Sequence, residues 1–239
     1  MAQNLPASSA GEVSALQGRV MLTRGVQSLP VTHGLAVQVG DRLSTGPHSA
    51  VTVTLADGTQ LELAESSVLV LSAERLDGQG HRVATRLELL GGVLHSLVRF
   101  APGIAPNYEV HTPNAVAAAR GTTYDTGYTQ GQERQGFARC KEFTDVAVFD
   151  GTVEVSNPTN RTAGSVAVER GHKTTVPCGL APLSALAASG AATTSSAATI
   201  AGGALLGGSL AGAAVAGASG SLDGGPSPTP SPSPMSNWQ

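Results

Sequence analysis

SAVTVTLADGTQLELAE, residues 49–65, alternates apolar and polar side chains and breaks once, at Asp57-Gly58. Val51, Val53 and Leu55 share one face of an extended chain, and Thr59, Leu61 and Leu63 follow beyond the break. Asp-Gly is favoured in tight hairpin turns because the turn needs a left-handed backbone that these residues tolerate. The stretch therefore reads as a β-hairpin. The device returns in TDVAVFDGTVEVSN, residues 144–157, where Asp150-Gly151 occupies the break.

Outward from these hairpins the period of two persists. GRVMLT (18–23) and GGVLHSLV (91–98) read as further strands, each beginning on glycine. Turn signals at VGDRLSTG (39–46), LDGQGHR (76–82), APGIAPN (101–107) and TQGQERQG (129–136) separate the strands, and no amphipathic helical period interrupts them. The fold class expected is all-β: stacked short antiparallel strands and hairpins, as a β-roll or an irregular solenoid-like sandwich, followed by a low-complexity C-terminal tail.

Charge divides the chain. Of 239 residues, every Asp, Glu, Lys and Arg except Asp223 lies at or before Lys173. The expected organisation is a lead at 1–10, a β domain at 11–180, an uncharged Ala/Gly/Ser-rich segment at 181–222 and a Ser/Pro-rich tail at 223–239. Residues 199–218, TIAGGALLGGSLAGAAVAGA, are long enough to cross a bilayer as a helix. They carry small residues at four-residue spacing, the pattern that lets membrane helices approach closely. A flexible linker fits the composition equally. GGPSPTPSPSP (224–234) reads as an extended polyproline II spacer.

A net charge of −3 with 14 Lys and Arg along the chain gives no basic stripe for a nucleic-acid backbone. Aromatic content of 3% argues against a stacked-ring platform for sugars. The sequence contains no HExxH, GxSxG or P-loop, and histidines 33, 48, 81, 95, 111 and 172 lack zinc-ligand spacing. Asp41 with His33 or His48 can be drawn as a base and its orienter, yet Asp41 follows Gly40 in a turn, where a carboxylate caps backbone N–H groups. No catalytic residue, metal site or cofactor is expected.

The order of motifs resembles the FecR-type domain of bacterial envelope proteins. GEVSALQGRVMLTR, LAVQVGDRLSTGPHSAVTVTLADGTQLELAESSVLVL, LLGGVLHSLV, YEVHTPNAVAAARGTTYDT, VAVFDGTVEV and VAVERGHKTTV carry the resemblance over about residues 11–177. It implies an extracytoplasmic all-β module, best known as the signal-receiving part of regulators that couple an outer-membrane receptor to a sigma factor. That branch has a cytoplasmic helical region and a membrane helix before the β domain, where this sequence shows MAQNLPASSA. Met1-Ala2 can be read as the end of a cleavage site, with Gln3 as mature start.

The motif residues Gly40, Asp41, Asp57, Gly58, Thr112, Pro113, Arg120, Gly121, Thr122, Asp150 and Gly151 are expected to shape the domain. Arg120 is the unusual one, a permanent charge ending the small apolar run NAVAAAR. Its planar fork of donors can act as a clamp on carboxylates or carbonyls, with Glu109 and Asp125 as anionic candidates. An exposed anion-binding arginine is the alternative. Gly121 would provide a special backbone angle or a close approach, with Thr122 opening the next strand. Cys140 and Cys178, an even pair in an exported protein, suggest a disulfide.

The function expected is therefore a non-enzymatic module for sensing, binding or scaffolding in the bacterial periplasm or cell envelope, anchored near its C-terminus if 199–218 is a membrane helix. The alternative is a periplasmic hydrolase or metal-binding protein whose site no motif marks. An envelope protein, or a second copy meeting through the Gly/Ala segment, is the expected partner. The residues do not identify a ligand.

Overall fold

The computed structural model describes residues 9–79, 82–100, 107–159 and 164–187. The chain divides into two units, Met1–Ala192 and Thr193–Gln239, and every described residue lies in the first. The candidate membrane segment 199–218, the Ser/Pro tail and residues 1–8 of the lead lie outside the described residues, as do Gly80, His81 and residues 101–106.

The described residues are all-β. In chain order the strands are β1 Ser9–Gln17, β2 Val20–Arg24, β3 Gln27–Pro30, β4 Ala36–Gln38, β5 Arg42–Thr45, β6 Ala50–Leu55, β7 Gln60–Leu63, β8 Val68–Leu76 and β9 Arg82–Leu97. They continue as β10 Asn107–His111, β11 Val116–Ala119, β12 Thr123–Gln130, β13 Glu142–Asp150, β14 Thr152–Ser156, β15 Ser165–Glu169, β16 His172–Pro177 and β17 Leu186–Ala187.

Two ladders emerge from the pairing. One runs β3–β2–β5–β8–β9–β10–β11–β14–β15. The other runs β4–β1–β6–β7–β9–β12–β13–β16–β17. Strand β9 belongs to both: residues 82–91 pair in the first ladder and 92–97 in the second. GGVLHSLV is thus not a separate strand opening on glycine. Gly91 and Gly92 lie inside one 16-residue strand, where it passes between ladders. Gly92 has φ +82°, and a Cβ there would collide with the Ser67 side chain and lie 2.6 Å from its Cα. Among the described residues, pairing departs from purely antiparallel at one place, where β10 runs parallel to β9.

Alternation places the core. Val51, Val53, Leu55, Thr59, Leu61 and Leu63 are all buried, as the period of two requires. Leu43, Leu69 and Leu87 of the first ladder join Val51, Leu61 and Leu94 of the second in a single apolar cluster. Burying a side chain of this size stabilises by about 1.5–3 kcal/mol.

Polar groups brace this core. Arg82, at the start of β9 and 1% exposed, donates through Nη1 to Asp57 Oδ2 and Thr59 Oγ1, both at 2.6 Å, and through Nη2 to the Arg99 carbonyl at 2.8 Å. Its guanidinium lies 5.3 Å from the Tyr108 ring centroid. One side chain thereby joins the beginning of β9 to its end and to the β6–β7 turn. Asn114 forms a second brace: Nδ2 donates to the Val176 carbonyl at 2.8 Å, and Thr144 Oγ1 donates to Asn114 Oδ1 at 2.5 Å. A disulfide joins Cys140 to Cys178 with a Cα separation of 5.7 Å, tying the β12–β13 loop to the end of β16.

Arg82→Met should destabilise the domain by about 3–5 kcal/mol, because it strands the Asp57 carboxylate away from water. Combining it with Asp57→Asn should cost clearly less than the sum of the single changes. Denaturant melts of the two singles and the double check both statements. Reducing the disulfide should remove about 4 kcal/mol on the chain-entropy model for a separation of 38 residues, read as a lower thermal midpoint with dithiothreitol.

Candidate functional site

The motif residues separate into an inner and an outer set. Asp41 is inner. Its buried carboxylate accepts from Arg24 Nε at 2.7 Å and Nη2 at 2.6 Å, and from the Gln38 amide at 2.8 Å. The backbone contact is the turn-capping role; Arg24, rather than His33 or His48, is its side-chain partner. Asp57 accepts from the Thr59 amide at 2.9 Å while holding Arg82, so the turn carboxylate is also a buried ion-pair partner. Thr112 is buried, its hydroxyl 2.6 Å from that of Thr144, while Pro113 is exposed.

Arg120 is outer, which corrects the clamp expectation. Ala115, Ala117 and Ala119 point into the core, so the same alternation sends Arg120 to the surface. The two carboxylates proposed for it are engaged elsewhere. Glu109 Oε2 lies 2.7 Å from His111 Nε2 and 3.3 Å from Arg86 Nη2, and Asp125 Oδ1 lies 2.5 Å from His95 Nδ1. Arg120 instead stands over the Phe100 ring, 5.1 Å from its centroid. Gly121 explains how Phe100 is seated: φ is +63°, and a Cβ would meet Phe100 Cβ at 2.7 Å.

Around this contact the fold builds a corner. Strand pairing sets Leu97 beside Thr123, and Thr123 beside Asp150. Leu97 is 39% exposed, Phe100 55% and Phe149 50%. The chain has four phenylalanines, and two of them stand at this corner half in water. Both are held. Phe100 lies between Arg120 and Gly121, and the His95 ring is tilted against Phe149 at a centroid distance of 5.9 Å. His95 is fixed in turn by Asp125, whose hydrogen bond holds the imidazole pKa above its ordinary value against the opposing effect of burial. Neighbouring Ala118, Arg120, Thr152, Glu154 and Ala167 line a shallow open depression.

Leu97, Phe100 and Phe149 thus leave apolar surface exposed beside the charged groups of Arg120 and Asp125. Among the described residues no group of three or more His, Cys, Asp and Glu side chains converges as a metal site would require. His48 pairs with Glu65, His95 with Asp125 and His111 with Glu109, each histidine with its own carboxylate. Among the described residues no helix is long and apolar enough to cross a membrane.

Arg82 and Phe149 are the residues that sequence reasoning missed. Arg82 closes the turn signal LDGQGHR and reads there as a solvated loop charge, whereas Phe149 sits beside Asp150-Gly151, where alternation is interrupted by a register shift. Inside the hairpin reading, Phe149 falls on the face opposite Val146 and Val148, and that phase was the available signal.

The family model described as FecR protein matches residues 41–154. That span contains both Asp-Gly turns, the Arg82 brace, the HTPN turn and the Arg120 corner, and is narrower than the stretch over which the motifs show the resemblance. No curated protein matches the chain. Two crystal structures of a "putative anti-sigma factor" from Parabacteroides distasonis ATCC 8503 align at 19% identity and a TM-score of 0.45. Each alignment covers 61% of this chain and 59% of that protein.

An exposed arginine stacked on one ring contributes about 0.5–1 kcal/mol. Arg120→Ala should therefore lower stability by no more than about 1 kcal/mol, in contrast to the loss expected for a buried ion-pair partner. Paired denaturant melts of Arg120→Ala and Arg82→Met measure the difference.

Proposed function

We propose, from the FecR-family segment at residues 41–154, that this protein is a non-enzymatic regulatory module of signal transduction in the bacterial cell envelope, and that it works by binding an envelope protein. The family match is the observation that carries the reading. The architecture supports it: both ladders spend their inward side chains on a shared apolar core, and the polar groups inside that core hold one another as braces. The exposed aromatic corner supplies a recognition surface whose side chains are already positioned, which lowers the ordering cost of association. The Cys140–Cys178 disulfide supports an oxidising compartment.

Site-specific photocrosslinking in the native host tests the reading. Benzoylphenylalanine at position 149 or 100 keeps an aromatic ring at the corner, and the same group at Val26, a fully exposed turn residue, serves as control. Crosslinks from the corner to an envelope protein, identified by mass spectrometry, are the expected result. Absence of crosslinks at all three positions, in protein shown to be folded and exported, would overturn the binding reading.

A further inference from the structure

Glu74 is placed inside the fold by an irregularity of β8. Alternation sends Leu69 and Leu71 into the core, and uninterrupted it would hold Ala73 on the same face and Glu74 in solvent. The register between β8 and β9 shifts between Leu71 and Ala73, so Glu74 lies opposite Thr85, which is buried. Bulges re-aim side chains in this way. Thr85 Oγ1 donates to Glu74 Oε2 at 2.5 Å, and Glu74 Oε1 is buried without a hydrogen-bond partner.

The groups around Glu74 come from three further elements. β9 contributes Thr85 and Arg82, the β6–β7 turn contributes Asp57, and β10 contributes Tyr108, whose hydroxyl is pushed up by burial and further by the Glu74 and Asp57 charges. Arg82 has used its two terminal nitrogens on Asp57, Thr59 and the Arg99 carbonyl, while its Nε–H is buried and unpaired. An unused acceptor and an unused donor thus belong to the same cluster.

We propose that Glu74 and Arg82 form a proton-operated latch. With Glu74 neutral, Arg82 is held by Asp57, Thr59 and the end of β9. When Glu74 gives its proton to water, its carboxylate competes for Arg82 through the free Nε–H, and the grip on the β6–β7 turn and on Arg99 relaxes. Phe100 follows Arg99 directly, so the latch acts on the corner assigned above to partner binding; in that respect it rests on the proposed function. The titration range supports the mechanism. Burial, with the Asp57 charge added, raises the Glu74 carboxyl to about 7 against the lowering effects of Thr85 and Arg82. A raised carboxyl value means that the folded state holds a proton the unfolded state has released. Stability therefore falls as pH rises from about 4.3, the ordinary glutamate value, to the folded value and is level above it.

The test uses the full chain. Carbon-13 NMR of glutamate carboxyls should show Glu74 titrating near neutrality, and Thr85→Val should move that midpoint upward by removing the stabilising donor. Hydrogen exchange, corrected for its intrinsic pH dependence, should show protection of residues 57–60 and 97–100 falling about tenfold between pH 6 and pH 8. Glu74→Gln should abolish that fall while leaving the fold intact. A Glu74 midpoint in the ordinary carboxylate range, or an equal fall in Glu74→Gln, overturns the latch. Crosslinking from position 149 at pH 6 and pH 8 separates the two readings. Equal crosslinking beside an ordinary Glu74 titration removes the latch and leaves partner binding standing. A near-neutral Glu74 with matching exchange, but no crosslink at either pH, keeps the latch and removes partner binding.

Discussion

The ion pair between Arg82 and Asp57 is the interaction on which the two-ladder arrangement depends. A strand that serves both ladders solves only half of the closure problem: the backbone joins them at Gly91-Gly92, and a gap is left between the start of β9 in the first ladder and its end in the second. Arg82 spans that gap, with Asp57 and Thr59 fixing the β6–β7 turn and the Arg99 carbonyl fixing the far end of the same strand. A hydrophobic contact in this position would bury comparable area without selecting a register. A planar fork with three acceptors does select one, because a shift of a single residue turns every side chain of a strand to the other face and leaves a buried charge unpaired.

The other buried polar groups repeat this logic at different margins. Asp41 binds the β2 arginine and the turn before β5, and Asn114 ties the β10–β11 turn to the backbone of β16. Arg134 extends it to the surface, stacking 4.4 Å from the Phe143 ring centroid while donating to both Asp145 oxygens and to Thr129. The disulfide fastens the loop that carries Arg134. These residues occupy turns and strand ends because there the ladders run out of backbone partners and side chains must supply them.

Much of this was legible. The burial of residues 49–65 follows from alternation alone, since each face of a strand repeats every second residue and Val, Leu and Thr mark which face is inward. Cysteine parity indicated the disulfide. Two features escaped for physical reasons. A bend inside a long strand and a turn between two short ones both call for glycine, so GGVLHSLV could not declare which it was. The parallel pairing of β10 with β9 is a register between separate strands that no local pattern encodes. Arg120 and Arg82 show the same limit in side chains. Alanine is small enough to sit on either face at little cost, so NAVAAAR does not fix its own phase, and the arginine at its end looked buried. The neighbours of Arg82 are turn residues on one side and a strand on the other, so the guanidinium that is buried looked solvated.

Glu74 marks where bracing stops being a sufficient account of the interior. A brace is best served by neighbours that are apolar or fully paired, and an apolar residue opposite Thr85 would have left the Arg82–Asp57 pair undisturbed. The bulge in β8 instead delivers a third charged group to a cluster that already balances one carboxylate against one guanidinium. Such a group adds desolvation cost in its ionised form and nothing to closure in its neutral form. Its cost is therefore tied to its protonation state, and through Arg82 that state bears on the turn, on the end of β9 and on the side chains that follow it. The sheet position that looks least suited to stability is the one that links the interior of the fold to its exposed corner.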